Sequence, residues 1–325
     1  MSIYIAIPSM YDNQLPYTVE EALKFADHPE DLSISVVFMD VTDERLDHDK
    51  FFSEKVEPLT SQKQVKVKRF KVGEYEPSVG FGRNEALSLY NDEDYVLQID
   101  SHTKFEKHWD TILIKMYTEA LQETKNELTI LTTYLPAYEH DDADSRGYFG
   151  RHRLAKYPFF MFNFRWAGNL PSWHDLDLVH HKVTREELYV PCVKFNAQFA
   201  FSTKVFYEYS GLPKSTVFWE EELLQTMNLL GEGFSLVFPN QVMPLAHLFH
   251  SEVNNDVRSY SFRVSGANPK GLTADEYHNE IRDSYFAFVN DPENKSKVER
   301  FFKYTRVHPT FGPYLEGYIP ADYNR

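Results

Sequence analysis

Between residues 3 and 131, short apolar runs rich in β-branched residues alternate with stretches patterned for helix, and few folds accept that rhythm. Ile3 to Ile7 ends at Pro8. Ile34 to Met39, Val65 to Phe70, Tyr95 to Ile99 and Leu128 to Leu131 follow at intervals that leave room for a crossover. Thr18 to Ala26, Ala86 to Tyr90 and Trp109 to Leu121 carry apolar residues at helical spacing. Strands separated by helices pair in parallel, because the crossover returns the chain to the same end, and both sheet faces must then be covered. The alternation predicts an α/β fold with a mostly parallel central sheet flanked by helices. Ligands bind such sheets beyond the carboxyl ends of the strands. Lys66 and Lys68 alternate with Val65 and Val67, the pattern of an edge strand with one solvated face.

The rhythm fades after residue 135. Glu139 to Asp144 is a polar loop, and Pro158 to Trp173 is crowded with aromatics that keep no period. Strand and helix patterns return at Phe195 to Phe201, Trp219 to Leu230 and Ala274 to Asn290. Apolar residues make up 42% of the 325, enough for a large core. The formal net charge of −15 disfavours nucleic acid and anionic membranes as partners, despite a basic strip at Lys63, Lys66, Lys68, Arg69 and Lys71. An acidic chain can still hold a phosphate-bearing ligand through a divalent cation. Cys192 is the only cysteine, which fits a reducing, cytoplasmic setting. No signal peptide is expected, and no run approaches the roughly 20 apolar residues of a membrane span.

Gln98-Ile99-Asp100-Ser101-His102 stands where a buried strand stops. Side chains two apart on a strand share a face, so Asp100 and His102 project into the ligand crevice together. A hard oxygen beside an imidazole nitrogen suits Mn²⁺ or a similar divalent ion that also takes diphosphate oxygens. The bland alternative is a turn-capping aspartate beside a surface histidine. A third ligand is expected from Leu245-Ala246-His247-Leu248-Phe249-His250, with His247 preferred and His250 in reserve. Gly80-Phe81-Gly82-Arg83-Asn84 opens a helix, where Arg83 could meet a diphosphate or simply follow a tight turn. Glu220-Glu221-Glu222 is either charge complementation of a helix start or a source of carboxylates for a sugar pocket. Asp40 is either a loop cap or a contact to a nucleoside.

These segments together resemble the N-acetylglucosaminyltransferases that modify hydroxyproline in cytoplasmic proteins. The resemblance rests on Ile5-Ala6-Ile7-Pro8-Ser9 with Asp12, Gln14 and Thr18 to Leu23, and on Gln98 to His102 with Phe105, Trp109 and Asp110. Phe199-Ala200-Phe201 and Glu221-Glu222-Leu223 with Gly233-Phe234 extend it, over roughly residues 1 to 260. The same layout is shared more loosely with the polypeptide N-acetylgalactosaminyltransferases. Met10-Tyr11, Glu220 and Asn228 depart from the pattern.

The resemblance implies a GT-A-type nucleotide-binding sandwich, a UDP-sugar donor, Mn²⁺ and retention of configuration. It divides the chain into a catalytic domain over 1–255 and a C-terminal extension over 256–325. Within the domain, 1–135 is the nucleotide-sugar half and 136–255 the acceptor-side half. Asp100, His102 and His247 become metal ligands, and Pro8, Ser9, Tyr11, Asp40, Arg83, Asp100 and Ser101 lie on the donor side. Asp100, Glu221 and Glu222 become the catalytic carboxylates. The expected activity is transfer of N-acetylglucosamine or a related hexose to a hydroxyl, on a protein, a glycan or a hydroxylated DNA base. A metal-dependent nucleotide-sugar hydrolase and a non-catalytic sugar-binding module are the alternatives. Oligomeric state is left open.

Overall fold

The structure is a computed structural model that describes residues 1–41, 46–75, 78–136, 165–167, 170–172, 188–192, 194–212, 216, 220–248 and 274–305. The chain opens with β1 (Ile3–Met10), α1 (Leu15–Phe25), β2 (Leu32–Met39), α2 (His48–Phe51), β3 (Val65–Phe70), α3 (Val79–Leu87) and β4 (Tyr95–Ile99). It continues through β5 (Thr103–Phe105), α4 (Trp109–Thr124), β6 (Thr129–Thr132), β7 (Arg165–Ala167), β8 (Leu170–Ser172) and β9 (Tyr189–Pro191). Then come β10 (Phe199–Thr203), α5 (Val205–Tyr209), α6 (Glu220–Glu232), β11 (Ser235–Pro239), β12 (Leu245–His247), α7 (Ala274–Asn290) and α8 (Lys295–Thr305).

Eight strands form the central sheet in the order β3-β2-β1-β4-β10-β6-β11-β9. The first four are parallel, and β3 is an edge, as its alternating lysines imply. β10 runs antiparallel between β4 and β6, β6 and β11 are parallel, and β9 closes the far edge antiparallel. The sheet is thus mostly parallel and flanked by helices, as expected. The insertion of β10 is what brings the second half of the chain beside the carboxyl end of β4.

Both faces are buried, and the period of two sorts the side chains. Ile3, Ile5 and Ile7 of β1 face α1 and α4 with Ile34, Val36, Phe38, Leu97, Ile99, Val19, Trp109 and Leu113. Tyr4 and Ala6 face the other way, with Val37, Met39, Val96, Phe81, Leu223, Leu224 and Met227. Trp109 Nε1 donates to Ala22 O at 2.9 Å, which locks α4 to α1. Helix α3 starts at Ser78, whose hydroxyl accepts from Phe81 N at 3.0 Å. A Cβ on Gly82 would lie 3.1 Å from Pro8 Cβ, so this glycine lets α3 sit close on β1.

The helices beyond residue 256 share this core: Tyr285, Val289 and Phe301 bury into the same cluster as α6. Lys297 reaches Asn228 Oδ1 at 2.8 Å and Glu232 Oε1 at 2.9 Å, and Arg300 donates to Gly231 O at 2.8 Å. Among the described residues no helix is long and apolar enough to cross a membrane. A Cβ on Gly231 would lie only 2.6 Å from Lys297 Cα. Gly231→Ala is therefore expected to cost about 1–3 kcal/mol, read as a fall in Tm of a few degrees. An unchanged Tm would show that α8 does not seat on α6 at this point.

Candidate metal and sugar-transfer site

Strand β4 stops at Ile99, and the turn after it is tied down before it presents anything to a ligand. Thr18 Oγ1 on α1 lies 2.7 Å from Ser101 O and 2.9 Å from Thr103 O. Thr103 Oγ1 donates to Asp100 O at 2.9 Å. The three residues of β5 then pair antiparallel with β12, in a register that sets His247 opposite Thr103. Leu248 N donates to His102 O at 3.1 Å and His247 N to Pro136 O at 2.9 Å. Asp100, His102 and His247 can each offer one ligand atom, and those atoms all lie within 4.8 Å of one another. His247 Nε2 is 3.0 Å from Asp100 Oδ2, and the two imidazole centroids are 4.5 Å apart. His250, the reserve ligand, lies outside the described residues.

Arg83 organises the rest. It is 3% exposed, and its Nη2 donates to Asp100 Oδ1 at 2.6 Å, its Nε to Glu221 Oε1 at 2.8 Å and its Nη1 to Ile99 O at 3.0 Å. The guanidinium expected to face a diphosphate thus spends all three nitrogens on the protein. Its immediate effect is to aim Asp100. Glu222 has its own cation: Lys194 Nζ lies 2.6 Å from Glu222 Oε2, and Ala197 N donates to Oε1 at 3.2 Å. Lys194 also donates to Tyr134 OH at 2.5 Å and stands 4.6 Å from that ring's centroid.

The charges follow from this sharing. Burial would raise the Asp100 carboxyl, but the Arg83 charge and the His247 contact hold it well below the usual carboxylate range. Burial pushes Glu221 up to about 7, Arg83 opposes this, and the Asp100 and Glu222 charges add to it. One guanidinium is shared by two carboxylates, and Glu221, buried where Asp100 is partly exposed, is the one left short. Burial lowers His247, helped by the charge of His102. For His102 the loss of solvation also works downward, but the Asp12 carboxylate outweighs it and the net shift is upward. Burial lowers Lys194, offset in part by Glu222.

The other expected donor-side residues lie at the ends of β1 and β2. Ser9 is buried and its hydroxyl finds no partner among the described residues, while Pro8 backs onto Gly82. Tyr11 packs its ring on Phe51 at 4.7 Å and His48 at 4.9 Å. Asp40 is gripped by Arg69, with Nη2 to Oδ2 at 2.8 Å and Nε to Oδ1 at 3.1 Å. Ser101 Oγ donates to Asp12 Oδ2 at 2.7 Å. Lys194 carried no motif to mark it. Asp12 had only its place in the opening segment. A separate cavity of about 830 Å³ lies between α1 and the segment 54–64, with none of these site residues in its wall.

A turn at the carboxyl end of a parallel strand thus presents Asp100 and His102 beside the distant His247. Residues 39–253 match the family described as Glycosyltransferase (GlcNAc), and the chain belongs to that family. A crystal structure of GalNAc-T7 with UDP, GalNAc and Mn²⁺ superposes with a TM-score of 0.54 at 14% identity, covering 94% of this chain and 54% of that one. That likeness shows the fold; the chain spans about half the length of that protein. The S. aureus TarS 1–349 structure with UDP-GlcNAc has a TM-score of 0.48 at 14% identity, covering 96% of this chain and 74% of that one. No curated protein matches the chain by sequence.

Glu221 sets a pH signature. Its carboxyl ordinarily titrates at 4.5 and here at about 7, so between those values the folded state holds the extra proton. The stability it contributes is present at low pH and is lost as pH rises through that window. In metal-free protein, Glu221→Gln should flatten the fall in denaturation midpoint between about pH 5 and pH 7.5. Parallel pH profiles for the two proteins would show that Glu221 is fully neutralised by Arg83.

Proposed function

We propose that this chain transfers a hexose, N-acetylglucosamine or a related sugar, from a UDP-sugar to a hydroxyl group, with a protein hydroxyl as acceptor and with retention of configuration. The observation that carries the reading is the Asp100, His102 and His247 cluster at the end of β4 in a chain of this family. One carboxylate oxygen and two imidazole nitrogens fit Mn²⁺, which accepts mixed O and N donors. Asp100, His102 and His247 would hold it. When bound, such an ion supplies positive charge against a departing diphosphate.

The side chains support a particular division of labour. Asp100 stays ionised over the whole working range, since Arg83 holds it there. Glu221 and Glu222 are both tied to cations, which suits carboxylates that orient hydroxyls better than a carboxylate attacking carbon. Cys192 is buried and its thiol is pushed up to about 12, so it is no nucleophile. In the proposed reaction the bond from the anomeric carbon to the phosphate oxygen breaks and the bond to the acceptor oxygen forms on the same face. The acceptor's proton passes to the leaving phosphate oxygen.

A panel of UDP- and GDP-sugars with Mn²⁺ or EDTA tests this, following Tm and free UDP. A ligand at about a hundred times its Kd stabilises by about 2.7 kcal/mol, a shift of about 4 °C for a chain of this length. One UDP-sugar with Mn²⁺ should give such a shift, EDTA should remove it, and Asp100→Ala should abolish it. UDP release that requires an acceptor supports transfer. Release without one would make the protein a hydrolase, and no response to any sugar nucleotide would overturn the reading.

A further inference from the structure

Asp12 offers no atom to the metal cluster, yet the turn that carries the cluster is built around it. It is 2% exposed, between β1 and α1. Its Oδ2 is 2.6 Å from His102 Nδ1 and accepts from Ser101 Oγ at 2.7 Å, while Oδ1 accepts from Gln14 N at 2.8 Å. These three partners fix the carboxylate's rotamer as well as its position. The chain reaches this geometry through backbone strain. Tyr11, immediately before, has φ 44°, in the left-handed region that is unfavourable for a residue with a side chain. Packing of the Tyr11 ring on Phe51, His48 and Phe38 holds that conformation.

An imidazole can ligate through either nitrogen, and a carboxylate on one of them decides which. We propose that Asp12 is the positioning residue of the metal centre: by taking the Nδ1–H of His102 it makes Nε2 the ligand nitrogen and holds the ring towards Asp100 and His247. This rests on the metal-dependent reading above. The molecule contains its own control. His108 Nδ1 makes the same 2.6 Å contact with Asp27 Oδ1, but on the surface, with the imidazole 65% exposed. That pair joins no cluster of metal-ligating groups among the described residues. The carboxylate–imidazole pair therefore acquires its role at His102 from burial and from the two neighbouring ligands.

Calorimetric titration of the full chain with Mn²⁺ tests the proposal. Asp12→Asn should weaken Mn²⁺ about 10–100-fold, the range for loss of a carboxylate behind a ligating histidine. Asp27→Asn should leave the affinity as in wild type. In a His102→Ala background, Asp12→Asn should cost little further, because its effect passes through that ring. A folded Asp12→Asn protein with wild-type affinity would overturn the inference while leaving the metal reading standing. A wild-type protein that takes no Mn²⁺ would remove both. Should Asp12→Asn not fold, ¹⁵N shifts of His102 in the wild-type protein loaded with diamagnetic Zn²⁺ decide the matter. Nδ1–H with metal at Nε2 is expected, and the reverse assignment would overturn the proposal.

Discussion

One buried guanidinium, Arg83, holds the site together. It binds Asp100 from the end of β4 and Glu221 from the start of α6, residues 138 positions apart from Arg83 in the second case. Two features of the site depend on that bridge. Asp100 is aimed and kept ionised by it, and the helix carrying both glutamates is anchored through it to the parallel half of the sheet. Buried ion pairs add little net stability compared with apolar packing, but breaking one leaves an uncompensated charge in a dry interior. Asp12 and Asp100 are both held ionised at this crevice, facing His102 and Arg83. In the proposed reaction a divalent cation would add positive charge there.

The second half of the chain is arranged around this crevice. β10 enters antiparallel beside β4, so that residues 194–198 lie next to Gln98 and Glu222; Gln98 Nε2 donates to Ala197 O at 3.1 Å. This places Lys194 and Tyr134, the latter 39% exposed, beside Glu222. Helices α7 and α8 then brace α6 from behind through Lys297 and Arg300. These two helices thus support the element that presents the carboxylates.

The parallel half was legible because buried parallel strands are continuous apolar runs, and β1, β2 and β4 each show one. The edge position of β3 was legible from Lys66 and Lys68, since only a solvated face tolerates them. The Asp100-Ser101-His102 segment was legible as the end of a strand, but its two side chains come together in the turn after β4, not through the period of a strand. What remained hidden depends on pairing across sequence distance. β5 and β12 are three residues each, too short to carry a pattern, yet their register puts His247 beside His102. Read as sequence, His247 was preferred with His250 in reserve, and that register is what sets His247 at the site. The partners of Arg83, Asp100 and Glu221, meet it only in the folded sheet and left no sign in the sequence. Lys194, in an apolar stretch, carried no periodic or motif signal.

Arg83→Met is the substitution that reaches the centre of this account most directly. It keeps the volume and apolar stem and removes the shared charge. The bridge predicts a loss of about 3–5 kcal/mol in unfolding free energy at neutral pH. It also predicts a parallel loss of Mn²⁺ affinity, because Asp100 loses the group that aims it. A variant with the wild-type denaturation midpoint and wild-type Mn²⁺ affinity would show that Asp100 and Glu221 are held by something else, and the account would fall.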